Sequence, residues 1–330
     1  MPYPLTFRPI FKPRPWGGRN LERLFGKSLP PGVPVGESWE LSDRPGDVSL
    51  ISNGPWAGRD LHGLVEQRRD EVLGEAPLQS GRFPLLIKIL DAQEVLSVQV
   101  HPPPHRAAAL GGEPKTELWY VAHAEPGAAL FAGLKRGVTR AEFERRLREG
   151  TVAECIHRIP VRAGDALFLP SGRVHALGAG LVIFEIQQNS DTTYRVFDWN
   201  RVGLDGKPRA LHIAEALASI DFNDFEPTLL PQEHPSEGRV QHRPLVEHAL
   251  FCVEVVRLAA NASLVLPGGQ MRILGCVRGR ARVRAPEGDV VLNAGDFCLL
   301  PAALAAAELQ ADTDAELIHV QPGRRSTAPA

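Results

Sequence analysis

The amino-acid sequence predicts a mainly β protein with a few short helices, and three features of the chain support that class. Its 31 glycines and 29 prolines punctuate many short apolar segments, which is typical of strands joined by turns. Several segments alternate apolar and polar residues, residues 96–101 being the clearest example. Helical periodicity is confined to three short segments, 60–72, 139–150 and 211–220.

The three helical segments carry recognisable boundary signals. The first, from about Asp60 to Val72, has Gly74 as its stop. The second begins at Thr139, where T-R-A-E has the form of a capping box with Glu142 reaching back. The third is the apolar stretch LHIAEALASI, and the remaining segments are predicted to form strands and turns.

Composition and charge exclude several classes of partner. The 330 residues carry a net charge of −2 with acids and bases interspersed, so we expect no nucleic-acid partner. No stretch has the apolar length of a bilayer span, so we expect no membrane association. The first residues lack a basic region followed by an apolar run, and the four cysteines form no C-x-x-C pair. These features favour a cytoplasmic protein with reduced thiols.

The stretch LSVQVH, residues 96–101, presents polar groups on one face of an otherwise buried strand. Ser97, Gln99 and His101 share that face by alternation, and Gln99 and His101 can reach one ion together. Lys115, Glu117 and Trp119 share a face in KTELW, and GDALFLPSGRVH ends at His175. Side chains of mixed nitrogen and oxygen type carried on strands are the outline of a metal site.

A repeated motif divides the chain. GDALFLP at 164–170 matches GDFCLLP at 295–301, and the first copy continues to His175 whereas the second has no histidine there. Residues 229–245 are polar and without periodicity, which is typical of a linker. We therefore predict a metal-binding domain over 1–228, a linker over 229–245, a metal-free domain over 246–323 and a disordered tail over 324–330.

The spacing of Gly164, Pro170, Gly172 and His175 resembles the second motif of the cupin superfamily, G-x5-P-x-G-x2-H. The segments LSVQVHP, KTELWYV, LPSGRVHALGAG and EIQQNSDTTYRVFDWNR resemble the type I mannose-6-phosphate isomerase family, in its shorter bacterial form. GESWELS and GKPRALHIAEALASIDF extend the resemblance over nearly the whole chain. It implies two jelly-roll-like cupin β-barrels and a metal-dependent interconversion of D-mannose 6-phosphate and D-fructose 6-phosphate through a cis-enediolate.

The resemblance also implies roles for individual residues. It implies one Zn²⁺ per chain, held by Gln99, His101, Glu117 and His175, and a small-molecule sugar phosphate as the partner of a monomer or weak homo-oligomer. Arg195 falls where the family has an active-site arginine, at the phosphate or at the enediolate. Lys115 is a further catalytic candidate beside Glu117. The expected substrate-binding residues are Lys88, Ser97, Glu185, Arg195 and Arg201, the last chosen only by its spacing after Arg195.

Several alternatives stay open on the residues alone. Arg195 could form a structural salt bridge with Asp191, Asp198 or Glu185, and Lys115 could be a solvated lysine at a loop end. A metal-bound water, Glu185 and Lys115 are all candidates for the general base. Rival functions are an iron-dependent cupin dioxygenase and a sugar-phosphate-binding cupin without turnover.

Overall fold

The computed structural model of the protein describes residues 2–233 and 237–323. The predicted disordered tail, 324–330, lies outside the described residues, as do residues 234–236 of the predicted linker. Within the described ranges the chain is mainly β with short helices, which confirms the predicted class. No helix in these ranges has both the length and the apolar character needed to cross a bilayer.

The strands of the first part of the chain are, in order, β1 (Ile10–Gly18), β2 (Val35–Leu41), β3 (Asp43–Arg44), β4 (Asp47–Val48), β5 (Leu85–Ala92), β6 (Val98–Val100), β7 (Glu117–Ala124), β8 (Ala129–Leu134), β9 (Ile156–Pro160), β10 (Ala166–Leu169), β11 (His175–Leu177), β12 (Leu181–Gln188) and β13 (Tyr194–Phe197). Those of the second part are β14 (Val240–Glu247), β15 (Phe251–Leu258), β16 (Ser263–Pro267), β17 (Arg272–Arg278), β18 (Arg280–Arg284), β19 (Val290–Asn293), β20 (Phe297–Leu300), β21 (Ala306–Ala311) and β22 (Ala315–Pro322). The α-helices are α1 (Asn20–Phe25), α2 (Leu61–Leu73), α3 (Pro104–Ala107), α4 (Arg140–Glu149) and α5 (Ile213–Ser219).

The helix boundaries follow local chemistry. The Asp60 carboxylate accepts the Gly63 amide at 2.7 Å and caps α2. Thr139 caps α4 by accepting the Glu142 amide at 3.2 Å, and Gly150 ends that helix with φ of 74°. The expected reciprocal bond from Glu142 does not form, because its carboxylate pairs with Arg145 and Arg146 on the helix surface.

The large sheets form two pairs, which we call the first and second sheet pairs. The first pair joins a six-stranded sheet, β1-β2-β5-β12-β7-β10, to a five-stranded one, β13-β6-β11-β8-β9. The second pair joins a five-stranded sheet, β14-β15-β22-β17-β20, to a four-stranded one, β16-β21-β18-β19. Hydrogen bonds leave each sheet open in the described residues, so closed barrels stay a prediction.

Apolar cores fill the space inside and between the sheet pairs. Trp119, Leu167 and Leu177 belong to a core inside the first pair, and Leu274, Leu292 and Leu309 belong to one inside the second. A further core lies where the six-stranded sheet packs back to back on the five-stranded sheet of the second pair, with members such as Ile87, Phe184, Phe251 and Ile318. The strands at this contact are therefore buried on both faces, which explains their nearly continuous apolar sequences.

The repeated motif occupies equivalent places in the two pairs. β10 and β20, which carry GDALFLP and GDFCLLP, each form the last strand of a large sheet. Leu169 pairs with Glu117 in the first copy, and Leu300 pairs with Arg272 in the second. A guanidinium thus stands at the register position of Glu117, and positive charge there opposes cation binding in the second pair.

Polar contacts also join the halves. Arg243, which is 1% exposed, donates to the carbonyls of Pro231 and Gly164, each at 2.7 Å. Strand β14, which carries Arg243, begins inside the predicted linker, because residues 240–247 pair with β15. The domain boundaries themselves stay predictions.

Candidate metal centre and the cavity beside it

Three strands of the first sheet pair bring the predicted ligands together. Gln99 lies in β6 directly opposite His175 at the start of β11, and His101 follows β6 by one residue. Glu117 is the first residue of β7 in the facing six-stranded sheet. One ligand therefore comes from one sheet and three from the other, so only the packing of the two sheets assembles the cluster.

The cluster is compact and buried. One ligand atom each of His101, Glu117 and His175 lies within 4.8 Å of the other two, and none of these residues is more than 2% exposed. The Nε2 atom of His175 is 3.3 Å from Oε1 of Glu117, and Nε2 of His101 is 3.6 Å from Oε2. The amide nitrogen of Gln99 lies 3.3 Å from Nε2 of His175, which adds the fourth predicted ligand to the cluster.

Backbone carbonyls orient both imidazoles. Nδ1 of His101 lies 2.8 Å from the Thr192 carbonyl, and Nδ1 of His175 lies 2.9 Å from the Arg173 carbonyl. A carbonyl can only accept, so each Nδ1 carries the proton and each Nε2 presents its lone pair to the cluster.

The ionisation states also suit metal binding. Burial, with the nearby Lys115 charge, lowers the pKa of His101 to about 4, and burial lowers the pKa of His175. Burial opposes ionisation of Glu117, but Lys115 and His101 outweigh it and hold the pKa of Glu117 well below its usual range. Neutral imidazoles and an ionised carboxylate are the forms that bind a metal.

Unsatisfied buried atoms test whether a metal fits. Nε2 of His101 and Oε1 of Glu117 are buried without a hydrogen-bond partner in the described residues. Buried polar atoms normally find partners, because leaving one unpaired costs about 1–3 kcal/mol. A divalent cation between the two imidazoles and the carboxylate would satisfy both atoms. The nitrogen and oxygen donors suit zinc and its first-row neighbours, and the Gln99 amide must turn its oxygen inward to join them.

Lys115 is not the solvated loop-end lysine that the sequence allowed. It is 4% exposed, and its Nζ lies 2.9 Å from Oε2 of Glu117 and 4.0 Å from Oε1 of Glu185. Burial opposes its charge, but the two carboxylates outweigh burial and raise its pKa. Lys115 is therefore an ammonium placed between the metal cluster and the adjoining cavity.

A cavity of about 600 Å³ opens beside the cluster. Six of the predicted site residues line it, and they are Lys88, Ser97, Gln99, Lys115, Glu185 and Arg195. Glu185 lies opposite Lys88 in the β5–β12 register, and its carboxylate is 3.2 Å from the Lys88 ammonium. It also accepts a hydrogen bond from Nε1 of Trp119 at 2.8 Å, so this carboxylate is fully engaged.

Arg195 has no ion pair among the described residues, so the structural salt bridge that the sequence allowed is not formed. Its Nη1 donates to the Ala210 carbonyl at 2.8 Å, and its buried Nε has no hydrogen-bond partner. Burial lowers the pKa of Arg195, and the charges of Arg209, Arg14 and Arg201 lower it further. Four guanidinium groups therefore gather near one another, which is an arrangement that attracts an anion.

Arg201 does not line the cavity, in contrast to the expectation from its spacing. Its Nη1 donates to the Val95 carbonyl at 2.8 Å, and its Nη2 donates to Asp198 at 2.9 Å. Arg209 lines the cavity instead. Arg209 belongs to the segment GKPRALHIAEALASIDF that extends the family resemblance, but it lies in the loop between β13 and α5, where no periodicity fixes the direction of a side chain.

Other cavity residues had weak signals in the sequence. Glu37 lies in the segment GESWELS, and its side chain pairs with that of Arg14 at 2.6 Å. Thr193 shares the face of Arg195 by alternation. Asp191 lines the cavity as an exposed residue, and its carboxylate has no hydrogen bond or ion pair among the described residues.

These features define a class of protein: a β-sheet protein with a buried His-Glu-His cluster at the end of a cavity rich in cationic side chains. The profile of the type I phosphomannose isomerase catalytic domain matches residues 5–114. The chain is 36% identical to a probable mannose-6-phosphate isomerase (GmuF) of Bacillus subtilis, over 92% of this chain and 94% of that protein. It is 34% identical to a mannose-6-phosphate isomerase (ManA) of the same organism, over 96% and 99% of the two chains. The chain belongs to the type I phosphomannose isomerase family.

Solved structures agree with this assignment. The crystal structure of the mannose 6-phosphate isomerase from B. subtilis superposes with a TM-score of 0.87 at 30% identity, over 96% of this chain and 99% of that one. An apo phosphomannose isomerase from Salmonella typhimurium has a TM-score of 0.74 at 18% identity, over 98% and 100% of the two chains, and at that identity it shows the fold alone.

Proposed function

We propose that the chain is a metal-dependent aldose–ketose isomerase that interconverts D-mannose 6-phosphate and D-fructose 6-phosphate. The observation that carries this proposal is the position of the His101–Glu117–His175 cluster beside a cavity lined by Lys88, Lys115 and Arg195. Moving a proton between C2 and C1 requires an electrophile near the oxygens of these two carbons. The phosphate group of the substrate requires cations further along the cavity. The cavity offers both at separate places, and the family membership supplies the reaction.

We propose one Zn²⁺ per chain, held by Gln99, His101, Glu117 and His175. When bound, the metal supplies Lewis-acid stabilisation of negative charge on the oxygens of C1 and C2. The Lys115 ammonium, 2.9 Å from Glu117, lies where it can donate a hydrogen bond to the same oxygens. Such charge develops only along the reaction path to the cis-enediolate, so these contacts favour turnover more than ground-state binding.

We assign the phosphate end of the cavity to the guanidinium groups. Arg195 lies opposite Gln99 in the β6–β13 register, which sets it one strand away from the proposed ligands. Arg195 and Arg209 both line the cavity, and their guanidinium groups can bind a dianion while the sugar extends towards the cluster. Ser97 and Lys88 line the wall between these two ends.

We assign the general base to Asp191. A base must reach the proton that moves between C2 and C1 and must not be occupied by permanent partners. Glu185 is occupied by Lys88 and Trp119, and Lys115 is held as an ammonium by Glu117. Asp191 lines the same cavity with a carboxylate that has no partner in the described part of the chain.

The finer architectural and cellular assignments are proposals of the same kind. We propose that each sheet pair is a cupin jelly roll, and that residues 1–228 and 246–323 form the metal-binding and metal-free domains. A cytoplasmic location, with a monomeric or weakly associating chain, fits a soluble sugar-phosphate substrate.

A coupled assay tests the proposed function. The chain loaded with Zn²⁺ should convert mannose 6-phosphate, whereas glucose 6-phosphate should react much more slowly, and a chelator should abolish turnover until metal is restored. Oxygen uptake in the iron-loaded chain would instead favour the dioxygenase. Tight binding of mannose 6-phosphate with no turnover under any metal would favour a binding protein, and either outcome would refute the isomerase.

A further inference from the structure

Asp198 lies just beyond β13, and two arginines share its buried carboxylate. Its Oδ1 accepts a hydrogen bond from Nη2 of Arg201 at 2.9 Å, and its Oδ2 accepts one from Nε of Arg209 at 2.7 Å. Nη2 of Arg209 also pairs with Oδ1. Asp198 is 5% exposed, and the two guanidinium groups lower its pKa although burial opposes that shift. The carboxylate is therefore a fixed anion that joins two separate cations.

These contacts fix both ends of one loop. The loop runs over residues 199–211, with Arg201 near its start and Arg209 near its end. It begins in a strained turn, because Trp199 has φ of 55°, an angle that a bulky side chain adopts only when surrounding contacts stabilise it, and Asn200 follows with φ of 53°. Leu204 and Asp205, at the middle of the loop, line the cavity.

The same contacts orient Arg209. Its Nε and Nη2 face Asp198, and its Nη1 has no hydrogen-bond acceptor within the described residues. Since Arg209 lines the cavity, the edge that carries Nη1 is the part left to meet a ligand. Arg195 supports the loop as well, because its Nη1 donates to the Ala210 carbonyl at 2.8 Å.

We infer that Asp198 is a positioning residue for the phosphate end of the cavity, acting through Arg209 and the loop 199–211. The inference rests on the proposed sugar-phosphate function and goes beyond it, because Asp198 need not touch the substrate. According to this inference the Asp198 carboxylate strengthens the binding of an anion, whereas its negative charge alone would weaken that binding. The sign of its effect therefore separates positioning from simple electrostatics.

The deciding variant is Asp198→Asn, which removes one negative charge and keeps the size of the side chain. If Asp198 acted only through its charge, this variant would bind anions more tightly. If it positions Arg209, we expect inorganic phosphate to bind at least about tenfold more weakly, which corresponds to about 1.4 kcal/mol, the strength of a charge-assisted hydrogen bond. KM for mannose 6-phosphate should rise similarly, with kcat and metal content close to those of the wild type.

Isothermal titration of the metal-loaded full chain with inorganic phosphate measures this effect without requiring turnover. Equal or tighter phosphate binding by Asp198→Asn would overturn the inference. Failure of the wild-type chain to bind phosphate would overturn it too, whereas phosphate binding without isomerisation would count against the proposed reaction alone.

Two further variants and a control make the result independent of folding defects. Arg209→Gln leaves Asp198 in place, and it should weaken phosphate binding to the same extent as Asp198→Asn. The double variant should bind phosphate no more weakly than either single variant, because each single change already removes the Asp198–Arg209 pair. Additive losses, or an unchanged affinity in Arg209→Gln, would refute the route through Arg209. Asp312→Asn, whose carboxylate lies 3.2 Å from Arg280 and 3.7 Å from Arg282 in the second sheet pair, is the matched control and should leave phosphate affinity unchanged.

Discussion

Gln99 lies directly opposite Arg195 in the pairing of β6 with β13, and on its other side it lies opposite His175 of β11. One short strand thus carries a proposed metal ligand between a second ligand and the cavity arginine. Because neighbouring strands are about 4.8 Å apart, the pairing fixes these separations through backbone hydrogen bonds. The relative positions of Gln99, His175 and Arg195 are therefore set by one sheet register, whereas the packing of the facing sheet brings Glu117 to them.

Loss of a proposed ligand should abolish metal binding. We expect His101→Ala or Glu117→Gln to lower metal content to background and to remove isomerase activity, because each deletes one of the few donors in a buried site. Elemental analysis and the coupled assay measure the two effects. His123→Ala, a half-exposed histidine on β7 that pairs with Glu125, is the control and should keep both properties. Full activity in a metal-free ligand variant would contradict the site.

Arg195→Ala should keep the metal and lose turnover. The guanidinium makes no ion pair in the described residues, so its removal costs the structure the hydrogen bond to the Ala210 carbonyl, whereas an anionic substrate loses its charged partner. We expect kcat/KM to fall by at least about a hundredfold, or about 2.7 kcal/mol, with the metal content unchanged. Arg140→Ala, on the surface of α4, should have no effect. A variant with wild-type activity would remove Arg195 from the mechanism.

Asp191→Asn tests the general base. The amide keeps the shape of the side chain but cannot accept a proton, so kcat should fall by about a hundredfold or more while KM changes little. Exchange of the C2 proton of mannose 6-phosphate with solvent deuterium, followed by NMR, should slow in parallel. Asp70→Asn, an exposed change on α2, serves as the control. Exchange at the wild-type rate in Asp191→Asn would show that another group is the general base.

The ionised carboxylate of Glu37 should contribute to the free energy of unfolding in a pH-dependent way. Burial opposes its ionisation, but Lys88, Arg14 and the Trp39 indole outweigh it and lower the pKa of Glu37 from 4.5 to about 2. A lowered pKa stabilises the fold above the unfolded-state pKa, and this contribution is lost as pH falls through the folded value. We expect Glu37→Gln to cost about 3 kcal/mol at pH 7 and less than half of that near pH 3.

Urea unfolding of both proteins at several pH values measures this difference. A destabilisation that stays constant between pH 7 and pH 3 would show that Glu37 is not ionised by its neighbours. Glu22→Gln is a suitable control, because that carboxylate pairs with Arg19 on the exposed surface of α1.

Arg243→Met should destabilise the whole chain. The change leaves the Pro231 and Gly164 carbonyls without their donor in a buried position, which costs about 2–4 kcal/mol. Because a shared apolar core joins the two sheet pairs, the loss should appear in a single unfolding transition. Arg239→Met, an exposed change beside the start of β14, should cost less than about 0.5 kcal/mol. Two separate transitions would show that the halves unfold independently.

The sequence by itself determined the mainly β class of the fold and the polar faces that carry the proposed ligands. Alternation put Gln99 and His101 on one polar face, and the cap at Thr139 and the stop at Gly150 located α4, because these signals act between residues close in the chain. The repeated Gly-Asp motif located two equivalent strands for the same reason. The resemblance to the isomerase family then named residues that the structure brings together around one point.

Only the tertiary structure decided which cations face the cavity. Arg201 and Arg209 are equally charged and belong to one loop, and no local rule separates them. Asp198 binds both side chains. Arg201 also donates to the Val95 carbonyl and does not line the cavity, whereas Arg209 does. The carboxylate of Glu185 is occupied by partners distant in sequence, whereas that of Asp191 has no partner among residues 2–233 and 237–323. Such partners are set by the packing of two sheets, which is a long-range property that no short segment encodes.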